Sequence, residues 1–220
     1  MTPLFESLKG ACAAEWAAYV DHPFVRALGE GTLSEAAFRR YLGQDYLFLI
    51  HFARAYGLAA FKGETIEDIR QAALGLDAMI NVEMGLHVSF SAGWGLAEAE
   101  MAALPEADAT IAYTRFVLER GLAGDLLDLH VALAPCIIGY AEIGRALAAR
   151  HGGGLAANPY RAWVEMYASA DYGAVAETEV AYLDTLMARR GGPGRLDGLV
   201  ATFRQATRLE AAFWDMGLAV

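Results

Sequence analysis

A cysteine follows a proline inside a long apolar stretch, and this pairing is the first place where chemistry is expected in this 220-residue chain. The stretch, Val131–Ala141, reads VALAPCIIGYA and carries no formal charge. Pro135 removes one helical hydrogen bond, at a cost of about 3 kcal/mol in a helix interior, and is expected to leave the Val131 carbonyl without its usual partner. Cys136 then sits at the kink, where a thiolate would act as a nucleophile. Its plainer role is that of a small core hydrophobe, since reactive thiols require a specific polar microenvironment. Two carboxylates are out of place in the same way. Asp45 is the one formal charge in YLGQDYLFLIHF, so desolvation is expected to raise its pKa unless donors or a cation hold it ionised. Glu210, in ATRLEAAFWDM, shares a face with Phe213 and Trp214 by i, i+3 and i+4 spacing. The alternatives are a structural Asp45 bonded to a Tyr, Trp or Arg, and a Glu210 paired at the surface with Arg204 or Arg208.

Aromatic residues accompany all three. Tyr140 lies one turn after Cys136, Phe48 one turn after Asp45, and Trp163 and Tyr167 share a face. Such stripes ordinarily fill cores. Combined with a thiol and two carboxylates they would instead line a cavity for a flat, nitrogen-rich ring, stacking on its faces while the carboxylates bond its N–H groups. Metal chemistry is less well supplied. Glu83 and His87 are spaced i, i+4, whereas di-iron bundles use Glu-x-x-His, and no second copy exists. His22, His51, His87, His130 and His151 each lack a specific haem motif. No metal and no cofactor is expected.

The elements that must position these residues read as helices throughout. Apolar residues recur at helical spacing from Thr2 to Val20, which predicts a first amphipathic helix with Cys12 on its apolar face. A loop at His22-Pro23 leads to a short turn. Ser34 caps a long helix running to about Phe61, with Leu33 and Phe38 placed as a hydrophobic staple. Thr65 and Asp68 open the next, from Ile66 to about Phe90. Another covers roughly Ala109–Arg120, with Tyr113 on its apolar face. The stretch from Asp125 to Arg150, apolar on every side, is expected to be the central buried helix. His151-Gly-Gly-Gly is read as a loop, and Asn158-Pro159 as a cap followed by the first helical residue. A break near Ala170–Gly173 and the Gly-Gly-Pro-Gly loop at 191–194 divide the remaining helices. No strand alternation, Walker lysine or fixed-period repeat is evident. The expected fold is all-α: a single domain over residues 1–220, built as one helical bundle.

Composition narrows the function class. A net charge of −10 and the absence of basic runs disfavour nucleic acid. The N-terminus lacks the basic and apolar regions of a secretion signal. The longest charge-free run, Met84–Ala97, is too short and polar to span a membrane. With Cys12 and Cys136 the only cysteines, no disulfide framework is expected. The chain reads as soluble and cytoplasmic.

HPFVRALGEGTLSEAAFRRYLGQDYLFLIHFARA, the ALAPC segment, NPYRAWVEMYAS and LEAAFWDM together resemble the TenA family, thiaminase II or aminopyrimidine aminohydrolase, in its cysteine-containing branch. The resemblance runs from about His22 to Met216, with the motifs in the family's order. It implies a haem-oxygenase-like bundle without haem, assembled as a homotetramer. It also implies hydrolysis of 4-amino-5-aminomethyl-2-methylpyrimidine to the hydroxymethyl compound and ammonia in thiamine salvage, with cleavage of thiamine as a related activity. By that resemblance Cys136 is the nucleophile, Glu210 the acid/base and Asp45 the pyrimidine-binding carboxylate. Tyr113, Tyr140 and Tyr167 line the pocket. Phe48 stands where the family has a tyrosine, so a hydroxyl near the reacting centre is lost. Two other classes compete: a metal-dependent oxygenase on the same bundle, and a non-enzymatic regulator acting through DNA.

Overall fold

The computed structural model describes residues 2–220, apart from the Val82 side chain, and its regular structure is helical throughout. In chain order the helices are α1 (Leu4–Ala11), α2 (Ala13–Val20), α3 (Pro23–Glu30), α4 (Glu35–Lys62) and α5 (Ile66–Asp77). A π-helical segment (Ala78–Glu83) leads into α6 (Met84–Gly93), followed by α7 (Glu98–Ala102), α8 (Asp108–Ala123) and α9 (Leu126–His151). A 3₁₀ segment (Gly152–Ala157) precedes α10 (Arg161–Ala168), α11 (Ala170–Arg190) and α12 (Arg195–Leu218). The all-α class is as expected, and no strand occurs among the described residues.

Local chemistry accounts for several boundaries. Ser34 Oγ accepts from the Ala37 N–H at 3.2 Å and opens α4. Thr65 and Asp68 form a reciprocal capping box at the start of α5, each side chain accepting from the other's N–H. Elsewhere the expectations need correction. The first amphipathic stretch is two helices, broken at Cys12, and the Ala11 carbonyl at the break accepts from Arg204 at 2.9 Å. Past a brief non-helical connection at His22, the chain from Pro23 is helical rather than a short turn. His22 Nδ1 accepts from the Phe24 N–H, Pro23 takes the first helical position, and Gly31 at φ +74° ends α3 in the left-handed conformation. The glycines after His151 form a 3₁₀ segment. Asn158 does not cap α10 directly: its Oδ1 accepts from the Tyr160 N–H, while its Nδ2 donates to Leu28 and Gly29 carbonyls, and the helix starts at Arg161.

The chain divides into two compact units. The first comprises Met1–Leu33 and His130–Asp215. Its core stacks Trp16 on Phe203 and Phe24 on Trp214, with ring centroids 5.6 and 4.9 Å apart. Two glycines of α9 permit its close packing. A Cβ at Gly139 would lie 2.4 Å from the Tyr19 ring, whose hydroxyl donates to the Pro135 carbonyl at 3.3 Å. A Cβ at Gly144 would lie 2.5 Å from the Tyr167 backbone. Pro135 itself is accommodated inside a continuous α9. The segment Leu126–Ala157 is long and apolar enough to cross a membrane, yet 83% of its most apolar window is buried within the protein, as befits a core helix.

The second unit comprises Ser34–Leu129 and Met216–Val220 and is organised around α4, which packs against α5, α6, α7 and α8. Gly75 of α5 sits against the Tyr56 ring, where a Cβ would come within 2.3 Å. Gln44 ties the start of α8 to α4: its Oε1 accepts from Ala107 N–H at 2.8 Å and Thr110 Oγ1 at 2.7 Å, and its Nε2 donates to Pro105.

Candidate active site

In the first unit the thiol occupies a distinctive position. Leu129 to Ala141 is buried residue after residue except at Cys136, which keeps partial exposure. The buried stretch of α9 thus opens at its one sulfur. One turn on, Tyr140 joins a cluster of rings from three helices. Its centroid lies 4.8 Å from Tyr167 and 5.8 Å from Trp163 of α10, and 5.4 Å from Trp214 of α12. Gly144, one turn beyond Tyr140, is what lets the Tyr167 backbone approach α9. Glu210 lies one turn before Trp214 and is only 2% exposed. It is therefore not a surface residue, and Arg204, one of the two partners considered for it, engages Glu15 at 3.1 Å.

In the second unit Asp45 is 5% exposed on α4. Tyr41, one turn earlier, donates its hydroxyl to Asp45 Oδ2 at 3.2 Å. His87 of α6 places Nδ1 3.4 Å from the same oxygen, and its Nε2 lies 2.8 Å from the Leu42 carbonyl. Burial pushes the Asp45 carboxyl up to about 7, against the lowering effect of the Tyr41 hydrogen bond. Glu83, the last residue of the π segment, is pushed up to about 8 by desolvation and by the nearby charge of Asp45. His87 is held below the usual imidazole range by burial, partly offset by its bond to Leu42. Phe48 is buried on the same helix, with its ring 5.0 Å from Tyr113 and 5.5 Å from Phe52. Tyr113 follows Thr110, which Gln44 anchors.

The structure therefore groups the expected residues as two sets: Cys136, Tyr140, Tyr167 and Glu210 in one unit, and Asp45, Phe48 and Tyr113 in the other. The continuous helix expected from Ile66 to Phe90 is instead interrupted by π geometry between Ala78 and Glu83, a feature that recurs at functional sites. His87 was considered as a metal ligand; its role as a neighbour of Asp45 was not. A visible signal was its place in a charge-free run. The Tyr41-x-x-x-Asp45 spacing was the corresponding signal for the tyrosine. Among the described residues no group of three or more His, Cys, Asp or Glu is arranged to hold a metal ion. Three other histidines are engaged with carboxylates: His22 with Asp215, His51 with Glu106 and His130 with Glu179.

Comparison with known proteins adds an independent line. The pattern of the TENA/THI-4/PQQC family matches residues 11–219. An uncharacterized protein of Haemophilus influenzae is 37% identical over 98% of this chain and 99% of its own. An aminopyrimidine aminohydrolase of Halalkalibacterium halodurans is 35% identical, covering 91% of this chain and 89% of its own. The crystal structure of a TenA family transcription regulator from Silicibacter sp. TM1040 superposes with a TM-score of 0.93 at 41% identity, over 99% of this chain and 97% of that one. A domain of unknown function with a heme oxygenase-like fold from Shewanella denitrificans shares the fold at 16% identity, with a TM-score of 0.73 over 97% and 91% of the two chains.

Proposed function

We propose, because the chain belongs to the TENA/THI-4/PQQC family, that it is an aminopyrimidine aminohydrolase of thiamine salvage. Its reaction is the hydrolysis of 4-amino-5-aminomethyl-2-methylpyrimidine to the hydroxymethyl compound and ammonia, with thiamine cleavage as a related activity. The observation that carries this reading is Cys136, the single partly exposed position in an otherwise buried run of α9. A catalytic thiol must meet its substrate, whereas a packing thiol gains nothing from exposure.

The proposed chemistry follows from the residue types. A thiolate bond to ring carbon C6 forces an electron pair toward C5, where it expels the amine and leaves an exocyclic methylene. Glu210 gives the departing amine its proton. Water then adds to the methylene and returns a proton to Glu210, and the carbon–sulfur bond breaks, restoring the aromatic ring and the thiolate. One difficult displacement becomes two easier steps. An ordinary thiol is only a few per cent thiolate at pH 7, so its proton must be taken up by a base. In the first unit Tyr140 and Tyr167 offer stacking faces for a ring; in the second, where Phe48 packs on Tyr113, Asp45 offers a carboxyl for an amidine-like edge. That edge offers one donor, the amino group, and one acceptor, the ring nitrogen. Asp45 supplies a carboxyl oxygen as the acceptor for that amino group.

A second reading, a regulator acting through DNA, draws on the description of the Silicibacter neighbour. A net charge of −10 opposes it, because phosphate contacts require clustered Lys and Arg. The proposal includes a cytoplasmic location, where thiols stay reduced, and assembly as a homotetramer. Exposed Phe61, Ile66, Leu74 and Leu122 in the second unit support the assembly, which sedimentation would test. The deciding assay measures ammonia release from the aminopyrimidine and thiamine turnover on one preparation. Ammonia release well above thiamine turnover is expected; absence of both would overturn the proposal.

A further inference from the structure

His87 was not among the residues expected to touch the chemistry, yet it is the side chain that meets Asp45 from another helix. The Leu42 carbonyl can only accept, so the 2.8 Å contact requires the proton of His87 on Nε2. A buried imidazole favours its neutral form. Nδ1 then carries a lone pair and faces Asp45 Oδ2 at 3.4 Å. Two lone pairs facing each other in a buried site repel, whereas a proton on Oδ2 converts the contact into an attractive one. The Tyr41 hydroxyl also reaches Oδ2, so both neighbours address one carboxyl oxygen and Oδ1 lies outside these contacts.

We propose that His87 is a positioning residue that holds the Asp45 proton on Oδ2 and so makes Oδ1 the acceptor offered to the ligand. This rests on the aminopyrimidine reading and deepens it to the choice of ring substituent. An acceptor at Oδ1 receives a hydrogen bond from a 4-amino group and repels a 4-oxo group. The pair therefore selects aminopyrimidines over their deaminated counterparts. The titratable groups around it are Tyr41 on α4 and Glu83 on the π segment. Of the acids on the neighbouring segments, Glu98 accepts from the Tyr46 hydroxyl and Glu106 is engaged by Arg115 and His51.

Two substitutions separate this role from simple packing. His87→Gln retains a donor for Leu42 at the Nε2 position but offers nothing at Nδ1. His87→Asn places an acceptor near Nδ1 and gives up the Leu42 bond. The hydroxymethyl product and its 4-oxo analogue are titrated calorimetrically against each protein. Wild type is expected to prefer the amino compound, His87→Gln to lose about tenfold of that preference, and His87→Asn to recover most of it. Isotope-edited infrared spectroscopy of the Asp45 carboxyl in ligand-free protein gives a readout independent of the pyrimidine. Its titration is expected to move toward the ordinary carboxylate range in His87→Gln and to stay near the wild-type value in His87→Asn. An unshifted titration in His87→Gln, or selectivity that follows the Leu42 bond instead, overturns the inference. Failure of wild type to bind either pyrimidine, with the infrared shift present, would fault the proposed function and leave the Asp45–His87 pair standing.

Discussion

The two units place their chemically competent groups by different physics. One turn from Cys136 and from Glu210 the chain carries rings: Tyr140 lies 4.8–5.8 Å from Trp163, Tyr167 and Trp214, and glycines set how closely helices approach. Around Asp45 position depends on hydrogen bonds, from Tyr41 and the imidazole contact of His87, inside a site that desolvates its acids. Packing holds a side chain whatever the pH. A hydrogen-bonded acid changes its donor and acceptor pattern when it titrates. The first arrangement suits a nucleophile that must be kept in place; the second suits recognition of a ring edge whose donors and acceptors must be matched.

Breaking the thiol side should have the largest effect. Cys136→Ser is expected to lower kcat/KM by about a thousandfold or more, roughly 4 kcal/mol of barrier, with the melting midpoint nearly unchanged. Activity within a few-fold of wild type would remove covalent catalysis from the account.

On the acid side, Asp45→Ala should cost about two- to tenfold in pyrimidine affinity, the worth of a hydrogen bond to an uncharged carboxyl at roughly 0.5–1.5 kcal/mol. Asp45→Asn, which removes the titration and keeps the shape, should affect stability with the opposite sign. The folded carboxyl sits at about 7 against an ordinary 3.8, so the native state holds a proton that the unfolded chain releases. The stabilisation is fully present below about 4 and is lost as pH rises through about 7. Glu83, at about 8 against 4.5, extends the decline. Wild-type melting temperature is thus expected to fall across this window and the Asp45→Asn curve to be flatter. Equal slopes would show that Asp45 is ionised in the fold.

Packing on the thiol side can be tested without touching a polar group. Gly144→Ala puts a Cβ against the Tyr167 backbone and should cost about 1–3 kcal/mol, a drop of about 2–4 °C per kcal/mol for a chain of this size. The pH dependence of stability should be unchanged. A change in its slope would mean that the Tyr167 packing and the titration of the buried acids are energetically coupled.

The smallest expected effect is at Phe48, beside Tyr113. Phe48→Tyr restores a hydroxyl worth about 0.5–1.5 kcal/mol if it meets a partner, or about two- to tenfold in kcat/KM. An earlier melt with unaltered specificity would instead assign Phe48 to the core.

The sequence by itself determined whatever depends on neighbours along the chain. Ser34 and the Thr65–Asp68 pair cap helices because their partners lie three residues away. Val131–Ala141 is central because no face of it is polar. The TenA resemblance was carried by short motifs read in order, and the candidate residues came with it. Tertiary structure decided what depends on contacts between distant segments. His87 meets Leu42 across 45 residues, and Tyr19 reaches Pro135 across 116. Neither separation leaves a periodic trace. The break at Cys12 and the start of α10 involve groups from elsewhere, the Arg204 side chain at the Ala11 carbonyl and the Leu28 and Gly29 carbonyls at Asn158, whereas the helix after His22 is capped locally by the His22 ring. The partial exposure of Cys136 is of the same kind: a string of apolar letters predicts burial, and only the packing of other helices decides where the covering stops.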